Sequence, residues 1–99
     1  MADYTFDPQS DSHLLIAINK AKFDASSVGE FKQQLESSWT PTITSVDIDF
    51  GKVEFIDSSG IGALLSVQKR LSTSSQPIRL LNAKPNVVSV IELLRLHRV

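Results

Sequence analysis

Residues 45–65 read Ser45-Val46-Asp47-Ile48-Asp49-Phe50-Gly51-Lys52-Val53-Glu54-Phe55-Ile56-Asp57-Ser58-Ser59-Gly60-Ile61-Gly62-Ala63-Leu64-Leu65, and this stretch decides the fold. From Ser45 to Phe50 apolar and polar residues alternate strictly. That period of two puts Val46, Ile48 and Phe50 on one face of a strand and Asp47 and Asp49 on the other. Gly51-Lys52 makes a turn, and Val53 to Ile56 leads to a junction at Asp57-Ser58-Ser59-Gly60. After it the period changes: Ile61, Leu64, Leu65, Gln68 and Leu71 recur at helical spacing, giving a helix that reaches about Ser72. A strand, a short junction and a helix therefore follow one another, and Asp57 to Gly60 is the helix's N-terminus.

The flanks repeat the same grammar. Tyr4 and Phe6 alternate with polar neighbours up to Pro8, which reads as a short edge strand. His13-Leu14-Leu15-Ile16-Ala17-Ile18 is a nearly unbroken apolar run, too short for a typical helix, which predicts a strand covered on both faces and hairpinned to the first. Asp24, Ser26 or Ser27 can cap a helix from about Ala25 to Ser38, whose inner stripe is Val28, Phe31, Leu35 and Trp39. Pro41 ends that helix by pushing the preceding residue to extended geometry. Residues 72–77 form a polar linker, Ile78 to Leu81 a short strand, and Asn82 to Asn86 restarts a helix lined by Val87, Val88, Val90, Ile91 and Leu94. Leu96 to Val99 is left unassigned. The order β-β-α-β-α-β-α needs crossover connections between strands, so the fold class is α/β with a parallel or mixed sheet.

The 99 residues are expected to form one domain, 1–99, of ordinary soluble composition, with 41% hydrophobic and 21% charged residues. There is no cysteine, which removes disulfides, thiolate chemistry and cysteine-based zinc sites and leaves His13 and His97 as the only imidazoles. Ten basic against eleven acidic residues leave a net charge of −1, without a basic run that could neutralise a row of phosphates. Nucleic acid is thus not the expected partner. The start of the chain carries Asp3 and Asp7 where a signal peptide would be basic, and no stretch nears the roughly 18 apolar residues of a membrane span. A cytoplasmic protein without membrane insertion is expected.

Chemistry concentrates at the 57–62 junction. A helix's first turn presents unpaired N–H groups and the positive end of the dipole, and Asp57, Ser58 and Ser59 stand in it. Asp and Ser are also the commonest caps, which gives Asp57 a purely structural reading. Gly60 and Gly62 each cost a helix roughly 1 kcal/mol relative to Ala, so two of them suggest that something approaches the backbone closely. Nucleotide binding is discounted, because neither G-x-G-x-x-G nor a G-K-[ST] ending is present. A hydrolase built from Asp57, Ser58 and a histidine lacks the G-x-S-x-G elbow, His13 reads as a strand-end surface residue and His97 as a frayed one. The chain is not expected to be an enzyme.

Val46 to Phe50 followed by Val53 to Leu65 resembles the signature of the STAS domain, the sulfate transporter and anti-sigma factor antagonist family. Phe23-Asp24-Ala25 is similar to the family's Leu-Asp-Ala segment, and Ile78 to Leu81 to its late strand. The resemblance implies a mixed sheet with helices packed mainly on one side. It also implies partner switching: an unmodified serine lets the domain bind a serine kinase that is itself an anti-sigma factor or similar regulator, phosphorylation releases it, and a serine phosphatase reverses the change. The phosphorylated serine follows the motif's aspartate, which is Ser58 here, with Ser59 as the neighbouring candidate. Asp24, Asp57, Ser58, Ser59, Gly60, Ile61, Gly62 and Leu64 are the expected partner-binding residues. No cofactor is expected in the domain itself, since ATP and metals belong to the partner enzymes, and a monomer or weak dimer is expected. Ala21 stands where many relatives have glycine, and the chain ends near residue 99, where many continue into another strand and helix. Related subunits of a bacterial lipid-transport assembly supply an alternative, a constitutive ABC-type subunit. They carry Thr-Gly-Gly at the junction, whereas this chain has Ser58-Ser59-Gly60.

Overall fold

The computed structural model describes residues 3–71 and 78–96, with side chains through residue 92. The linker expected over 72–77, residues 97–99 with His97, and the side chain of Leu94 lie outside the described residues. The elements run β1 (Tyr4–Pro8), β2 (His13–Ile18), β3 (Lys22–Phe23), α1 (Val28–Ser38), β4 (Ser45–Asp49), β5 (Phe55–Ile56), α2 (Ser58–Arg70), β6 (Arg79–Leu81) and α3 (Pro85–Leu96).

The α/β class and the mixed sheet are as the alternating and helical patterns require. Four strands line up in the order β1-β2-β4-β6. The pair β1–β2 is antiparallel, with Tyr4 opposite Ile18, while β2–β4 and β4–β6 are parallel, with Ile16 opposite Ile48 and Ile48 opposite Leu80. Parallel neighbours need crossovers, and α1 and α2 lie in them. Two elements go beyond the expected order: β3 and β5, two residues each, form a separate parallel ladder with Lys22 opposite Phe55 and Phe23 opposite Ile56.

One core lies between one sheet face and the helices. Leu14, Ile16, Ile18, Val46 and Ile48 project into it and meet Phe31 and Leu35 of α1, Ile61, Leu64 and Val67 of α2, and Val87 and Ile91 of α3. Each large side chain so buried contributes roughly 1.5–3 kcal/mol. Rings of Tyr4, Phe23, Phe31 and Phe50 meet edge to face, the tightest pair being Phe23 and Phe31 with centroids 5.0 Å apart. Tyr4 extends the cluster and donates its hydroxyl to the Ser27 carbonyl at 2.9 Å.

Four expectations are corrected. His13–Ile18 is not sealed on both faces: Leu14, Ile16 and Ile18 are buried, but Leu15 and Ala17 are only half-buried, because the helices cover one side of the sheet. Helix α1 begins at Val28, not Ala25, since Asp24 organises residues 25–27 into a turn. The inner face of α2 is Gly60, Ile61, Ala63, Leu64, Val67 and Leu71; Leu65 and Gln68 are half-buried, and the Gln68 side chain accepts from Ile78 N–H at 3.0 Å.

The fourth correction concerns Asp47, expected on the solvent side of β4 but buried at 7% exposure. Arg79 reaches it with Nε and Nη2, both at 2.8 Å, and His13 Nε2 lies 3.1 Å from its second oxygen. A buried carboxylate is tolerated only when paired, and the bidentate fork does this while holding the Asp47 carboxyl below the usual carboxylate range. His13 is thus no simple surface residue. It is tied to Asp47 and, through Nδ1, to Ser45 Oγ at 2.6 Å.

Candidate functional site at the mouth of the second helix

The site is assembled where β3 and β5 deliver their chains, side by side, to the N-termini of α1 and α2. Asp57 leaves β5 in extended geometry (φ −119°, ψ −173°) and caps α2, Oδ1 accepting from Gly60 N–H at 3.0 Å. Its second oxygen accepts from Ala25 N–H at 3.4 Å. One carboxylate therefore closes the helix end and ties the 24–27 turn to it.

That turn is built by Asp24. Its Oδ1 accepts from Ser26 N–H at 3.1 Å, Ser26 Oγ at 2.7 Å and Ser27 Oγ at 3.3 Å, the pattern of an Asx turn. The Ser26 hydroxyl is the main reason the Asp24 carboxyl is held below its ordinary value, so the group is ionised at neutral pH. Ser27 stands at the α1 cap position without a side-chain capping bond; buried beneath the turn, it donates to Lys22 C=O at 3.3 Å. The cap expected among Asp24, Ser26 and Ser27 is thereby resolved into a turn in which Asp24 accepts and both serines donate.

The two glycines do different things. A Cβ on Gly60 would lie 2.3 Å from the Phe23 carbonyl oxygen and 2.7 Å from Ile56 Cγ1. The close approach expected at Gly60 is made by the chain itself, and it lets β3 press against the first turn of α2. A Cβ on Gly62 would meet nothing within 4 Å. Residues four apart share a helix face, so Gly62 stands one turn beyond Ser58 on the same outer surface.

Ser58 opens α2 and is exposed, and among the described residues no side chain hydrogen-bonds its hydroxyl. Asp24, Asp57, Ser59 and Gly62 are half-buried around it. Gly60, Ile61 and Leu64 are buried, the last two at 5% and 3% exposure, so these three support the site from beneath and present no surface. The surface half of the expected set is therefore Asp24, Asp57, Ser58, Ser59 and Gly62. Two neighbours were not among the expected site residues: Ser26, expected only as a possible helix cap, which orders Asp24, and Phe55, an exposed aromatic three residues before Ser58. Phe55 and Ile56 are consecutive in a strand and cannot share a face, a signal that one of them must point outward.

Among the described residues the hydrolase constellation is not assembled; His97 lies outside them. His13 starts β2 beside the start of β4, engaged by Ser45 and Asp47, whereas Ser58 follows the far end of β4 and all of β5. Trp39 is half-buried against the core, with the Arg70 guanidinium 5.8 Å from its ring; Arg70 also pairs with Glu36. Among the described residues no helix is long and apolar enough to cross a membrane.

A family model described as the STAS domain matches residues 7–99. No curated protein matches by sequence. Among solved structures, the chain is similar to the anti-sigma factor antagonist SpoIIAA in its unphosphorylated form, at TM-score 0.78 and 20% identity over 96% of this chain and 83% of that one. It is similar also to the Bacillus cell fate determinant SpoIIAA in the phosphorylated form, at TM-score 0.71 and 20% identity over 96% and 86%. A third likeness is to the murine anion transporter Slc26a9 in the inward-facing state, at TM-score 0.68 and 19% identity, covering 83% of this chain but 14% of the transporter. At these identities the likenesses establish the fold.

Proposed function

As the chain belongs to the STAS domain family, we propose that it is a protein-binding regulator controlled by phosphorylation of Ser58. Unmodified, it binds a serine kinase of the anti-sigma type; phosphorylated, it is released; a serine phosphatase restores it. The observation that carries this reading is the exposed Ser58 hydroxyl at the head of α2, next to the capping Asp57 that ties the Asp24 turn to this helix end, with an open Gly62 one turn on.

The mechanism is one of charge at an interface. Phosphorylation replaces a neutral hydroxyl with about −1.5 to −2 charges at pH 7, next to Asp57 and close to the Asp24 turn. The dipole and free N–H groups of the α2 opening turn offset part of that charge inside the domain, so the fold persists. SpoIIAA, which has this fold, has been solved in both forms. A partner surface fitted to a hydroxyl has no such compensation: it must desolvate a dianion beside two carboxylates or withdraw. Gly62 leaves room for the partner to approach the helix backbone one turn further on.

The domain supplies no cofactor chemistry; ATP and its metal belong to the kinase, and the proposed setting is the cytoplasm, with the domain a monomer or weak dimer. The test is binding to the cognate kinase. Ser58→Ala keeps affinity and cannot be modified, while Ser58→Asp weakens binding without lowering thermal stability. Equal binding by Ser58→Asp and the unmodified protein would overturn the proposal.

A further inference from the structure

Resting on that reading, we infer that Phe55 is the apolar anchor by which the unmodified domain holds its kinase, entering an apolar pocket on the kinase surface that meets Ser58. Phe55 is 49% exposed and is the one large hydrophobic residue left in solvent among the described residues. Lone exposed apolar side chains are common, so exposure alone says little. Its placement says more.

Side chains two apart along extended backbone leave the same side, and Asp57 continues β5 in extended geometry. Phe55 and Asp57 therefore project together, while Ile56 between them goes into the core. The register pairs Phe55 with Lys22 and Ile56 with Phe23. Lys22 is accordingly out and Phe23 in, and the chain then turns at the half-buried Asp24. The result is one small surface: an exposed ring opposite Lys22, then Asp57 with the 24–27 turn tied to it, then the Ser58 hydroxyl.

Distance makes this surface part of the same interface. Three peptide units separate Phe55 from Ser58, so their Cα atoms lie within about 11 Å. A partner patch of about 800 Å² centred on Ser58 has a radius of roughly 16 Å and includes both. A ring with only two side-chain torsions loses little freedom on docking, which is why buried aromatics dominate interface energetics. The arrangement also places the switch next to the anchor, so that a phosphate on Ser58 disturbs the ring's pocket as well as the hydroxyl's.

The test uses each anti-sigma-type serine kinase of the source genome, purified and titrated against the unmodified full chain by calorimetry. With the kinase that binds, Phe55→Ala is expected to lose roughly 30-fold in affinity, Phe55→Leu to lose less, and both to melt as the parent does. Phe55→Ala binding within twofold of the parent, with Ser58→Asp still weakened, overturns the anchor and leaves the proposed function standing. If no kinase binds the parent, or Ser58→Asp binds as tightly, the functional reading falls and the anchor with it.

Discussion

Changing Gly60 and Gly62 to alanine, two residues apart in one helix, should move stability in opposite directions. Both lie inside α2, where Ala is favoured over Gly by about 1 kcal/mol. At Gly62 nothing lies within 4 Å of the added methyl, so the helix keeps that gain. At Gly60 the methyl would stand 2.3 Å from a backbone oxygen of β3 and 2.7 Å from Ile56. Backbone cannot rotate away as a side chain can, and overpacking of this kind costs about 1–3 kcal/mol or more, which exceeds the propensity gain. For a domain of this size 1 kcal/mol moves the melting temperature by about 4–8 °C. Gly62→Ala is therefore expected to melt several degrees higher than the parent, and Gly60→Ala several degrees or more lower. Thermal unfolding followed by far-ultraviolet circular dichroism measures both. Two shifts of the same sign would refute the division of labour between these glycines. Gly62→Ala carries a second expectation: if its open side is where a partner nears the helix, the more stable variant binds the kinase more weakly.

Asp57→Ala removes the α2 cap and is expected to lose about 1 kcal/mol, whereas Asp57→Asn keeps the cap, gives up only the longer bond from Ala25 N–H and loses less; equal losses in thermal melts would show that the cap is not what supplies the stability. Arg79→Gln should lower the urea midpoint at pH 7. Because Arg79 depresses the folded-state value of Asp47, its contribution is present above the ordinary carboxylate value of about 4 and is lost as pH falls through the lower folded value. The gap between variant and parent therefore narrows at pH 2.5, and a gap independent of pH would contradict the pairing.

Much of this architecture can be read from local pattern. The alternation of Val46, Ile48 and Phe50, the switch to helical spacing after Gly60 and the cap at Asp57 are all short-range signals, and each corresponds to an element or bond of the folded chain. What pattern missed depends on residues distant in sequence. The strands β3 and β5 are two residues long and carry no period, yet their pairing brings Ala25, in the turn that Asp24 builds, to Asp57. Asp47 reads as solvent-facing because its partner Arg79 is 32 positions away. Gly60 reads as a concession to a visitor, but the visitor is the Phe23 carbonyl. Helix α1 starts late because Asp24 accepts the local N–H and hydroxyl groups before the helix can. At the site, the motif marks Ser58 correctly as the head of a helix, while the separation of exposed from buried members required the packing of α2.

The most direct measurement incubates the unmodified chain with its kinase and ATP, locates the phosphate by mass spectrometry, and compares the kinase affinity of the modified and unmodified forms. The expected result is a single phosphate on Ser58 and a large loss of affinity with the fold intact. A phosphate on Ser59 or elsewhere, or a modified form that binds as tightly as before, would contradict the role assigned to the Ser58 hydroxyl.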